Sequence, residues 1–285
     1  MIQWPITNDQ EMILQIETAT ASCSIALAKD GNVLGFKQVN GRNLHAEVIT
    51  RFIEEIIADA GLSYDNLHAI AVSCGPGSYT GLRIGISTAK GLCFALDKPL
   101  IAIETLAAMA EGVAAIDEYN SQTDLLLCPM IDARRMEVYT AIFSVTGEIV
   151  KPTVAEIVDE NSFADILQNN KVLFFGDGAE KCFNVLKSNP NALYLPEFLN
   201  SAAHLTKKAA EKFNKGEFED VAYFEPYYLK DFIAGKKAMW RFVVSDFEFR
   251  SFLNSNFTIA DKIKSEIERP KSNIKLIVRL KYPSP

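Results

Sequence analysis

Paired cysteines, clustered histidines and long apolar runs are all missing from this chain, and each absence closes off a class of function. The five cysteines, Cys23, Cys74, Cys93, Cys128 and Cys182, form no CxxC. An odd number scattered through apolar segments reads as reduced, buried thiols, not as a disulfide frame or a zinc site. The three histidines, His45, His68 and His204, stand far apart and none belongs to HExxH, so no metal is expected. No apolar run nears the ~18 residues of a membrane span. The opening MIQWPITNDQEM lacks the basic, apolar and small-residue order of a secretory signal, so the expected place is the cytoplasm, away from membranes. A net charge of −7 gives the body of the chain no basic face for nucleic acid.

What is present is an ordinary globular composition, 48% hydrophobic and 23% charged over 285 residues, enough for one large or two modest cores. Charge is divided unevenly. Residues 236–285 carry 11 Lys or Arg against 5 Asp or Glu, which leaves 18 against 31 for the first 235, so a basic tail follows an acidic body.

The densest signal is SCGPGSYTGLRIGISTAKGL at 73–92. Gly75, Pro76 and Gly77 turn the backbone out of a short apolar strand, and Ser78 or Thr80 can cap the helix that follows. Gly81, Gly85 and Gly91 each cost that helix roughly 1 kcal/mol relative to Ala, which predicts another backbone close against them. The spelling is neither a Walker loop nor a dinucleotide fingerprint, because GxGxxxG has one residue too many and no Gly-Lys pair follows.

Periodicity predicts strands at 13–17, 23–29 and 32–39, a helix over 44–60, a strand at 69–73, the glycine helix over 81–96, a strand at 100–103 and a helix over 105–115. Strands at 125–131, 138–143 and 171–175, a helix over 201–214 and an aromatic strand-like segment at 223–229 follow. The order βββαβαβα implies an α/β fold with mixed sheets, the early strands antiparallel and the later ones parallel.

Four blocks, ILQIETATASCSIAL, the glycine block, IDARRMEVY (131–139) and AYFEPYYLKDF (222–232), make the chain resemble the TsaB (YeaZ) family, a subunit of the bacterial machinery that makes threonylcarbamoyladenosine on tRNA. The resemblance covers about residues 12–235. It implies an actin-like or ASKHA fold of two RNase H-like lobes, at 12–104 and 105–235, with an N-terminal extension at 1–11 and a basic C-terminal extension at 236–285. It also implies a noncatalytic scaffold that pairs with a TsaD-like catalytic subunit, is joined by a TsaE-like ATPase, reaches tRNA through the complex and can form a homodimer. ATP or ADP would enter only in the assembled complex, with no intrinsic cofactor.

The expected partner surface is the pair of helices over 44–60 and 81–96, with Gly81, Gly85, Thr88 and Ala89 allowing close approach and Ile49, Ile53, Ile56, Ile84 and Leu92 supplying apolar area. Glu17, Thr18, Gly75, Gly77 and Ser78 mark a vestigial nucleotide site. ASKHA kinases place an acidic residue at the end of the first strand, by the metal-bound phosphates, and Glu17 stands where the family usually shows Asp. His45 has Ile49, not a second histidine, four residues on, so no chelate forms. Asp132, Arg134, Arg135 and Glu137 read as a bridging charge network without a nucleophile. The rival readings are an ASKHA phosphotransferase using Glu17 and the 75–80 loop, and a glycoprotease-like metallopeptidase. The apolar-interleaved lysines of the tail point to docking on the acidic body ahead of a tRNA arm.

Overall fold

The computed structural model describes residues 11–41 and 44–230. The expected tail at 236–285, and the expected extension apart from Glu11, lie outside the described residues. Glu11 is itself held, its N–H donating to Asp30 Oδ1 at 2.8 Å.

The first sheet contains β1 (Met12–Glu17), β2 (Ser22–Lys29), β3 (Asn32–Asn40), β4 (Ala69–Gly75) and β5 (Leu100–Glu104), in the order β3-β2-β1-β4-β5. β1 pairs antiparallel with β2 and parallel with β4. Near-continuous apolar spelling makes β1 and β4 central strands, buried on both faces. One face carries α1 (His45–Asp59) and α2 (Tyr79–Leu96). Val48, Ile49, Ile53, Ile56 and Ile57 of α1 and Leu82, Ile86, Ala89 and Cys93 of α2 recur at helical spacing, and all pack into one cluster with Leu14, Ile16, Ile25, Leu27 and Val72.

After α3 (Thr105–Ala114) and the short α4 (Asp117–Asn120), the second sheet repeats the plan. It holds β6 (Leu125–Asp132), β7 (Glu137–Ser144), β8 (Ile149–Ile157), then α5 (Ala164–Leu167), β9 (Lys171–Phe175), α6 (Ala179–Leu186) and β10 (Ala192–Leu195). Its order, β10-β9-β6-β7-β8, is that of the first sheet with each strand replaced by its counterpart, so the molecule has two RNase H-like lobes. β8, α6 and β10 escape the periodicity reading. β8 is an edge strand interrupted by Pro152 with Ile149, Val150 and Ile157 facing out, and such a strand shows no clean alternation.

The break at 104/105 separates the two sheets but not the packing. A 3-10 turn, Ala202–Leu205, and α7 (Thr206–Lys215) return to the first sheet, where Leu205, Ala209 and Phe213 cover Ile13, Ala71, Ile101 and Ile103. The aromatic segment at 223–229 joins no sheet. It runs along the first lobe as a strap, entered by the bond from Glu219 N–H to Leu100 O and held by that from Tyr227 N–H to Cys74 O, at 2.9 and 2.8 Å. Both returns depend on long-range packing that no local period encodes.

Candidate functional site

The glycine block makes its close approaches inside the lobe. β4 ends at Gly75 with φ 123°, where a side chain would meet Tyr227 O at 2.5 Å. At Gly77 a Cβ would stand 2.5 Å from Ala19 O, and at Gly81 and Gly85 it would collide with the Thr18 carbonyl and hydroxyl. The backbone predicted to lie against this helix is thus the 18–20 turn between β1 and β2. Glu17, Thr18, Gly75, Gly77 and Ser78 do converge there.

A phosphate needs free N–H groups at a helix start. Two N–H groups at this start are engaged within the chain, Ser78 N–H donating to Ala19 O at 2.7 Å and Gly81 N–H to the capping Ser78 Oγ at 3.3 Å, and Leu82 N–H closes the first helical turn on Ser78 O at 2.8 Å. The atoms pressed on Gly75, Gly77 and Gly81 are carbonyl oxygens, which repel an anion. Thr18 and Glu17 are fully buried. The Glu17 carboxylate accepts from Ala19 N–H at 2.6 Å through Oε1, while Oε2 has no partner. Burial pushes its pKa up to about 7, against the smaller opposing pull of the Ala19 N–H, Ser73 and Asn200. The carbonyl oxygens against the glycines and the buried carboxyl both disfavour an anion here.

His45, expected as a lone imidazole without a chelating partner, turns its Nε2 to the Thr20 carbonyl oxygen at 2.9 Å. A carbonyl only accepts, so that nitrogen carries the proton. Between the lobes lies a cavity of about 130 Å3 lined by Thr20, Ser22, Met109, Asp177, Phe198 and Asn200 among others. Burial raises the Asp177 carboxyl above its ordinary range.

The corner after β6 does not join Asp132, Arg134, Arg135 and Glu137 in the expected network; its acids pair with lysines from elsewhere. Asp132 pairs with Lys181 and Glu137 with Lys230. Arg134 and Arg135 take left-handed backbone angles, φ 75° and 49°, and face out. Lys230 sits at the end of the strap, so this pair ties the strap to the second lobe.

The expected partner surface divides in two. Ile49, Ile53 and Ile56 are 2 to 4% exposed, and Gly81, Gly85 and Ala89 are buried as well; all six build the lobe itself, because α1 and α2 turn their apolar and small residues onto the sheet. Ile84, Thr88 and Leu92 remain half-buried on the outer side of α2. Phe94, absent from the expected set, is 86% exposed in a different row of the same helix. Its position in the row Arg83, Ser87, Lys90, Phe94, off the buried stripe, is the sequence signal that marks it.

The strap flanks the same helix. Tyr228 stacks on Tyr79 with ring centroids 4.9 Å apart and accepts from Arg83 Nε at 3.2 Å. Lys90 Nζ donates to Ala222 O and Phe224 O at 3.2 and 3.0 Å. AYFEPYYLKDF is therefore the sequence of a clamp along α2.

Residues 40–244 match the family described as TsaD, tRNA N6-adenosine threonylcarbamoyltransferase. The chain is 33% identical over 236 residues to the tRNA threonylcarbamoyladenosine biosynthesis protein TsaB of Escherichia coli (strain K12), covering 79% of this chain and 97% of that protein. The chain belongs to the TsaB family. The TsaB of Bacillus subtilis (strain 168) is 29% identical across 80% of this chain and 97% of its own length. The solved structure of YeaZ from Pseudomonas aeruginosa superposes with a TM-score of 0.64 at 25% identity, over 77% of this chain and all of that one.

Proposed function

We propose that this TsaB-family chain serves tRNA threonylcarbamoyladenosine biosynthesis as a noncatalytic scaffold, pairing with a TsaD-like catalytic subunit through the outer side of α2. The observation that carries the reading is the contrast between the two sides of that helix. The inner side is filled by Thr18 and Ala19, where an ASKHA enzyme would need a phosphate cradle. Away from the sheet the helix keeps Ile84, Thr88 and Leu92 half-buried in one row and Phe94 exposed in another, next to the row that the strap holds through Arg83 and Lys90. Exposed large apolar groups beside small residues suit close helix packing. A subunit of the same fold offers a matching helix, so a pseudo-symmetric heterodimer or a homodimer can use one patch.

In this reading a TsaE-like ATPase and tRNA join through the assembled complex, and ATP or ADP belongs to that complex. The test is reconstitution: the chain should co-elute with a TsaD-like subunit from the same organism and be required for threonylcarbamoyladenosine formation on tRNA. Modification at full rate without the chain would refute the scaffold role. ATP turnover by the chain alone, abolished by Glu17→Ala, would favour the phosphotransferase, and a stoichiometric bound metal the peptidase.

A further inference from the structure

The segment at 198–205 crosses from one lobe to the other and carries a buried polar contact at each end. Phe198 belongs to the second lobe, with its ring 4.9 Å from Phe175; Leu205 belongs to the first. Between them the segment is pinned to the first sheet. Ala202 N–H donates to Ser24 Oγ at 2.7 Å, and Gln38 Nε2 donates to Asn200 O at 3.2 Å. Asn200, 3% exposed, turns its amide toward Glu17. Glu17 Oε2, Ser73 Oγ and Asn200 Nδ2 lie near one another there but make no well-formed hydrogen bond. The interlobe cavity is lined by Asn200 together with Thr20 and Ser22.

At the other end His204 stacks on Phe198 at 5.2 Å and accepts from Ser201 N–H through Nδ1 at 3.3 Å. It is seated so closely on α3 that a Cβ at Gly112 would stand 2.5 Å from its Cδ2.

We infer that the 198–205 segment is a proton-linked clasp between the lobes, released by ionisation of Glu17 at one end and by protonation of His204 at the other. The inference stands apart from the scaffold reading and does not depend on it.

The groups around each end set the sign. Facing Glu17, β4 offers Ser73 and the segment offers Asn200, both uncharged; β2 offers the Cys23 thiol, itself pushed up to about 12 and so neutral. With no cation among the described residues to offset burial, the carboxyl holds its proton up to about 7 in the closed form, whereas an opened one loses it in the ordinary carboxylate range. Opening therefore releases a proton and is favoured by rising pH. Around His204, Glu111 of α3 is engaged with Lys207 and Lys208, and burial alone lowers the imidazole to about 4. Opening there takes up a proton and is favoured by falling pH. The two windows overlap between the ordinary carboxylate value and that of imidazole, so the two groups oppose each other and the intact clasp is insensitive to pH.

Amide hydrogen exchange of residues 198–205 in the full chain, corrected for intrinsic rates, tests this between pH 4.5 and 7. Wild-type protection should stay within about threefold, because one proton released offsets one taken up. Glu17→Gln should leave His204 unopposed, with protection falling up to about tenfold per pH unit as pH drops below 6.5. His204→Gln should do the reverse, losing up to about tenfold per unit as pH rises from 4.5 to 7. A steep wild-type profile, or a flat profile in either variant, overturns the clasp. Should a variant not fold, the wild-type carboxyl and imidazole can be followed by NMR: midpoints near 7 for Glu17 and 4 for His204 support the clasp, and ordinary midpoints overturn it.

Discussion

The side chain of Thr18 fills the hollow left by the missing Cβ of Gly85, so the turn after β1 is locked onto α2 by a glycine. The absence of a side chain on the helix is thus what holds the first lobe's turn in place.

That contact separates two glycines of one helix. Gly85→Ala must displace Thr18 and should cost about 1–3 kcal/mol by overpacking, although Ala gains propensity. Gly91 has nothing within 4 Å of the same position and is exposed, so Gly91→Ala should stabilise by about 0.5–1 kcal/mol. Chemical denaturation of both variants checks the opposite signs, and stabilisation by Gly85→Ala would contradict the close approach. Gly85→Leu should fail to fold stably, not merely lose a partner.

Charge placed on the outer row should act on association alone. Phe94→Asp should leave the thermal midpoint of the isolated chain nearly unchanged, since Phe94 is 86% exposed. Burying a charge in an apolar interface costs several kcal/mol, so affinity for a TsaD-like subunit should fall at least about a hundredfold. Sedimentation of the mixture reads the result, and an unchanged complex would remove α2 from the interface.

The strap should loosen at Lys90. Lys90→Ala deprives two carbonyls, Ala222 O and Phe224 O, of their donor, a loss of about 1 kcal/mol when water can replace it. Limited chymotrypsin digestion should cleave after Tyr223 or Tyr227 faster than in the wild type while the sheets stay intact. Equal cleavage rates would mean that the strap is held elsewhere.

The thiols should be inert in the folded protein. Burial raises Cys23, Cys74, Cys93 and Cys128 to about 12 and Cys182 to about 11, so at pH 8 the thiolate fraction is negligible and access is closed. An aromatic disulfide reagent should titrate all five cysteines only after unfolding. Rapid reaction of any one at pH 8 would place it on a mobile surface.

Much of the first lobe was legible because its signals are local. Runs such as MILQIE and AIAVSCG can only be buried strands, α1 shows its apolar residues at helical spacing, and Ser78 stands where a cap is needed. The glycine spacing of α2 announced a close neighbour. It could not say which one, since the 18–20 turn and a partner helix make the same demand on Gly81 and Gly85. Phe94 was legible in principle, as an aromatic off the buried stripe.

The sequence by itself determined the α/β order, the reduced buried cysteines, the family blocks and the division into acidic body and basic tail, because each is written in composition or in a short repeat. Tertiary structure alone decided that six of the nine expected interface residues build the core and that α7 and the strap return to the first lobe. It also brought Glu17, Ser73 and Asn200 to one point. These depend on residues far apart in the chain meeting across two lobes, and neither periodicity nor motif spacing carries information about which distant surface a segment will cover.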